Sequence, residues 1–152
     1  MTFSTFEEYE LACEQERKRN KQLLDEFSTW LKTKQLTKKT INNHLTNVDL
    51  YINDFLLYED PISIAEEGIP SVNMYFGYWF IKKIAWGSGT SISSGAASLK
   101  KFYGFLSEKG LVSAEDLAQL KAIIKENMSE WQATLIRYDD PDIVDMGEVW
   151  GH

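Results

Sequence analysis

Residues Gln35–Glu59 read QLTKKTINNHLTNVDLYINDFLLYE, and this stretch decides the fold. Thr37 stands immediately before the pattern, where an N-cap belongs. Ile41, Leu45, Val48, Ile52 and Phe55 then recur at steps of four, three, four and three, which marks one stripe of a helix and not a strand. At about 100° per residue the opposite face carries Lys39, Asn43, Thr46 and Asn47. A buried stripe backed by basic and amide side chains suits an ordinary surface helix, and equally one that faces DNA.

Upstream of this helix, Ser4-Thr5-Phe6-Glu7 forms a capping box, so a helix is expected to start near Thr5. Phe6, Tyr9 and Cys13 mark a short apolar face, but Glu14–Gln22 (EQERKRNKQ) holds no apolar residue. Such a run cannot cover a core. The expectation is therefore a projecting helical extension over residues 1–20, which either folds back or docks on another chain through Phe3, Phe6 and Tyr9. Apolar spacing resumes at Leu23, Phe27, Trp30 and Leu31, which places the packed domain at 21–138.

Downstream, Glu59-Asp60-Pro61 ends the organising helix, because proline disfavours a helical conformation in the residue before it. Ile62–Glu67 is expected to make one turn, ended by Gly68. Val72–Ala85 (VNMYFGYWFIKKIA) is apolar nearly all round and belongs at the centre. Its Gly77 costs about 1 kcal/mol against Ala in a helix, which a close helix crossing would explain. Trp86–Ser91 (WGSGTS) is a loop; with no strand before it and no Gly-Lys-Ser/Thr after it, it is not a phosphate loop. A helix over Ser91–Lys109 follows, closed by Gly110 as the C′ residue. Ser113 to Asp116 is a near capping box for a long helix to Tyr138. Residues 139–152 form an acidic tail, expected to be mobile. The result is an all-α bundle of about five helices, joined by the short connections that bundles allow.

Composition narrows the function. A chain of 152 residues, with 43% hydrophobic and 13% aromatic residues, has the makings of one domain with a real core. The single Cys13 cannot form an internal disulfide, and Glu7, Glu8 and Glu10 fall where a signal peptide would need an apolar run. These features point to a cytoplasmic protein. The longest apolar run, Tyr75–Ile81, is far short of the ~20 residues that span a membrane. The formal net charge of −7 opposes strong nucleic-acid affinity overall. Basic residues cluster, however, between Arg17 and Lys39, whereas Met128–His152 sets Arg137 against six acids. One Cys and two His, none at ligand spacing, give no metal site. His44 reads as a partly exposed helix histidine, and the paired carboxylates read as solvated charge. No catalytic residue and no cofactor are expected.

The order of pieces from Leu23 to about Asn127 resembles the N-terminal core-binding domain of the tyrosine recombinases, or phage integrases. It is carried by the apolar helix LLDEFSTWLKTKQ, the entry Leu36-Thr37-Lys38-Lys39-Thr40, the Ser/Thr-rich cap Thr90-Ser91-Ile92-Ser93-Ser94, and Leu99-Lys100-Lys101-Phe102-Tyr103-Gly104-Phe105-Leu106 before Gly110. The resemblance implies a SAM-like, orthogonal helical bundle whose second and fourth helices face the DNA major groove. By position, the residues implied are Thr37, Lys38, Lys39, Thr40, Asn43, Asn47, Ser91, Ser94, Ser98, Lys100 and Lys101. Lysines and cap hydroxyls would hold phosphates, and Asn43 or Asn47 would reach base edges. The family's catalytic domain, with its Arg, Lys, His-x-x-Arg and nucleophilic Tyr, has no counterpart here. The expectation is thus a non-catalytic module for double-stranded DNA. Its competitor is a helical protein–protein module that kept the fold but not DNA binding, and that self-associates or binds a partner through residues 1–20 or 139–152.

Overall fold

In the computed structural model, residues 5–58, 64–84 and 91–138 are described. They form an all-α bundle of five helices. Helix α1 is Phe6–Thr33, and α2 is Lys38–Asp49, prolonged by a π turn at Leu50–Phe55 and a 3-10 turn at Leu56–Tyr58. Short 3-10 turns at Ala65–Glu67 and Ile69–Ser71 lead into α3, residues 72–83, whose middle (Tyr75–Trp79) is again π-helical. Helix α4 is Ile92–Glu108 and α5 is Ala114–Tyr138. The expected turn at Ile62–Glu67 is seen from Ala65 onward. The Glu59-Asp60-Pro61 stop, nearly all of the Trp86–Ser91 loop, and the acidic tail lie outside the described residues.

The local signals work as their chemistry requires. Thr5, Thr37 and Ser91 each take an N-cap, accepting hydrogen bonds from the backbone N–H of Glu8, Thr40 and Ser94 respectively. Ser113 does the same for Asp116 at the head of α5. Gly110, with φ +77°, ends α4 in a Schellman arrangement: Leu111 N–H reaches the Leu106 carbonyl and Gly110 N–H reaches Ser107.

Helix α1 spans residue 20, next to where the sequence places the start of the packed domain. It runs unbroken through Glu14–Gln22, and Cys13 and Asn20 are both buried. This polar run is held by directed bonds rather than by apolar area. The Tyr9 hydroxyl donates to the Leu57 carbonyl, Arg19 pairs with Glu66, and Asn20 Nδ2 donates to Ile52 O (3.2 Å) and Asn53 Oδ1 (2.9 Å). The hydrogen bond that Arg19 donates to the Glu66 carboxylate raises the guanidinium pKa further. On the first turns of α1, the side chains of Phe6 and Leu11 are 70% and 56% exposed.

The core sits where α3 crosses the others. Tyr51 and Phe55 of the first π turn meet Tyr75 of the second at centroid distances of 4.8 and 5.0 Å. A π turn adds a residue to the helical repeat, so the neighbours Tyr51 and Ile52, and Tyr75 and Phe76, all face inward. The expected close crossing at Gly77 is present: a Cβ there would lie 3.3 Å from the Trp131 ring of α5. Trp131 itself is buried and donates to Asn73 Oδ1 at 2.8 Å. Helix α3 is not buried all round, since Met74 and Tyr78 emerge on one edge.

Two buried tyrosines bolt the irregular segment between α2 and α3 to this core. The hydroxyl of Tyr51 donates to the Gly68 carbonyl and that of Tyr103 to the Ala65 carbonyl, each at 2.6 Å. A side chain at Gly68 would push into the Tyr103 hydroxyl and lie 2.9 Å from Leu56, whereas one at Gly104 would meet nothing within 4 Å. Gly68→Ala is expected to destabilise the fold by about 1–3 kcal/mol through overpacking, and Gly104→Ala to stabilise it by about 0.5–1 kcal/mol through helix propensity. Urea denaturation of both variants checks the pair; equal midpoints would contradict the packing described.

Candidate nucleic-acid interface

Helices α2 and α4 pack along each other through a polar seam. Asn47 Nδ2 donates to Ser94 Oγ (3.0 Å) and to Ser98 Oγ (2.9 Å). His44 Nδ1 lies 2.8 Å from the same Ser98 Oγ. Stepping back three residues on α2, from 47 to 44, thus moves forward four on α4, from 94 to 98, so the two helices are antiparallel. Continued by one turn, this register brings Thr40 level with Lys101.

This geometry sorts the eleven residues expected to face DNA. Asn47 and Ser98 are buried, 6% and 0% exposed, and do not face outward. The reason is that α2 is covered by both α1 and α4, which widens its buried face beyond the expected stripe and leaves Leu45 only partly buried. A buried amide must find acceptors, and the α4 serines supply them. Ser94 is exposed, but its hydroxyl is used by Asn47. Thr37 and Ser91 are exposed caps; the Thr37 hydroxyl holds the Thr40 N–H (3.2 Å) and bonds the Thr40 hydroxyl (2.9 Å). Lys38, Lys39, Asn43, Lys100 and Lys101 are exposed, and among the described residues none of these lysines joins an ion pair.

Charge follows the same division. From Lys38 to Val48 and from Ile92 to Ser107 there is no carboxylate, while both runs carry lysines. The acids begin beyond, at Asp49 and Glu108. Glu66 is engaged with Arg19 of α1. Asp54 sits beside Asp49 and Arg17, and its carboxyl is pushed up by burial first and by Asp49 second. The antiparallel pair therefore groups its lysines where α2 begins, with Glu108 of α4 beyond them at that end and Asp49 where α2 runs into its π turn.

His44 is the residue that periodicity undervalued. It sits three positions before Asn47 on the same side of α2, and that spacing is the signal that could have marked it. Burial, and then the Lys101 charge, hold its imidazole below the ordinary histidine value. The His44–Ser98 pair is not a nucleophile and base, because Ser98 is wholly enclosed and no substrate carbon can reach it. Among the described residues no group of three His, Cys, Asp or Glu side chains could hold a metal ion, and no helix is long and apolar enough to cross a membrane. Scanned against family models, curated proteins and solved structures, the chain matches none.

The depressed imidazole carries a sign that can be checked. Because the folded value lies below the unfolded one of about 6.5, the stability it contributes is fully present above about pH 6.5 and is lost as pH falls toward the folded value. His44→Gln is expected to lose less Tm than the parent chain on going from about pH 7.5 to about pH 5.5. Parallel thermal melts of the two proteins would refute this if the losses were equal.

Proposed function

We propose that this chain is a non-catalytic module for double-stranded DNA, of the kind that the resemblance to the recombinase core-binding domain implies. The observation that carries the reading is the antiparallel α2–α4 pair, with lysines and no carboxylate from Lys38 to Val48 of α2 and from Ile92 to Ser107 of α4. Lys38, Lys39, Lys100 and Lys101 supply phosphate contacts, and the amide of Asn43 is available for a base edge. Asn47 and Ser98 serve instead as the scaffold that fixes the two helices. With the amide of Asn43 set against four lysines, binding is dominated by the backbone and weakly selective for sequence.

A duplex of about 20 base pairs should bind at low salt with a log–log salt slope of about −3 to −4, as expected for some four phosphates neutralised. Replacing the four lysines by Gln should remove most of that affinity and flatten the slope. Fluorescence polarisation across a salt series measures both. Absence of binding by a folded sample, or a slope indifferent to the lysines, would sink the reading.

Exposed Phe6 and Leu11 favour a second reading, self-association through the first turns of α1. Truncation is a poor test of it, since Cys13 and Asn20 belong to the packed body. Phe6→Ser with Leu11→Ser leaves those contacts in place. If this reading holds, light scattering should show the parent chain as an oligomer at high concentration and the double variant as a monomer; an unchanged mass would dismiss it.

A further inference from the structure

Ser98 has one hydroxyl hydrogen and two lone pairs to share among three neighbours. Its Oγ lies 3.1 Å from the Ser94 carbonyl, which can only accept, and 2.9 Å from Asn47 Nδ2, which can only donate. The hydrogen thus goes to Ser94 O and one lone pair to Asn47. The remaining lone pair faces His44 Nδ1 at 2.8 Å, so Nδ1 is the donor. In the neutral ring the hydrogen is therefore on Nδ1, and Nε2 bears a lone pair. Nε2 has no protein partner among the described residues, nor is it one of the enclosed atoms left without one; it meets solvent at the half-buried ring edge. Among the described residues, the charged group whose field reaches this ring is Lys101 of α4; none on α1, which also packs on α2, does so.

From this arrangement we propose that His44 is a proton-coupled phosphate contact: when a DNA phosphate settles at Lys101, His44 takes a proton on Nε2 and becomes a second cation beside it. The inference rests on the DNA reading above and adds its regulation. Ser98 needs no rearrangement, because it already accepts from Nδ1–H, so the protonated ring leaves no polar group of the seam unsatisfied. Free, the ring stays neutral at pH 7, since burial and the Lys101 ammonium both disfavour a second charge. A bound phosphodiester cancels the Lys101 field and supplies an acceptor for Nε2–H, which raises the proton affinity. By linkage, DNA affinity then rises as pH falls, by at most tenfold per pH unit for one proton.

The chain has only two histidines, His44 and His152, so the imidazole nitrogens are readily assigned by NMR. Nitrogen-15 shifts of the free protein should show His44 as the Nδ1–H tautomer, and its titration midpoint should move up when a duplex of about 20 base pairs is added. Between about pH 8 and about pH 6, duplex affinity should tighten roughly three- to tenfold more in the parent chain than in His44→Gln. An Nε2–H tautomer, an unmoved midpoint, or the same pH dependence in the variant would overturn the inference while leaving DNA binding intact. No binding at any pH in low salt would overturn both. Should His44→Gln fail to fold, the tautomer and the midpoint shift in the parent chain decide alone.

Discussion

The amide of Asn47 constrains everything around it. A side-chain amide enclosed between helices loses its water, and that loss is tolerated only if its N–H groups find acceptors at hydrogen-bond distance. Ser94 and Ser98, one turn apart on α4, provide them. Apolar contacts are non-directional and would let α2 and α4 slide or rotate against each other. Directed bonds from one amide to two hydroxyls allow one register. That register sets His44 against Ser98, with Lys101 near enough for its charge to act on the imidazole.

The same rule of directed polar contact recurs where apolar area is scarce. Helix α1 crosses the body through a stretch with no apolar residue, yet it is held by Asn20 on the Ile52 carbonyl and by Arg19 on Glu66. The Ile52 carbonyl belongs to the π turn of α2, so α1 and that irregularity support one another. Tyr51 and Tyr103 perform a similar task for the 3-10 turns that precede α3. Burial pushes the Tyr103 hydroxyl far above its usual range, so it remains a donor at any physiological pH. Around these fixed points the aromatic side chains of α2, α3 and α5 fill the centre, with Gly77 allowing Trp131 to approach.

Electrostatics and packing divide the α2–α4 pair into two halves of different use. One half is consumed by the polar seam; the other shows lysines, with Glu108 of α4 beyond them. An acidic chain can keep such lysines together, because exposed charges more than ~10 Å away are largely screened by salt. His44 stands at the junction, with one ring edge in the seam and the other at the rim.

How much of this was legible beforehand follows from the range of each interaction. Helix starts and ends were, since Thr37, Ser91, Ser113 and Gly110 act on backbone groups within a few residues of themselves. The all-α class and the tight crossing at Gly77 were legible too, from periodicity and from a glycine set among large apolar residues. The direction faced by Asn47 and Ser98 was not: an amide or hydroxyl on a helix reads as outward until a partner from another helix is known. The packing of Glu14–Gln22 escaped for the same reason, as its partners lie at Ile52, Asn53 and Glu66. By itself the amino-acid order determined the helices, their caps and the placement of lysines without acids along two of them. Only the tertiary structure decided which polar groups became scaffold and which remained at the surface, because a hydrogen bond between residues some fifty positions apart leaves no periodic trace along the chain.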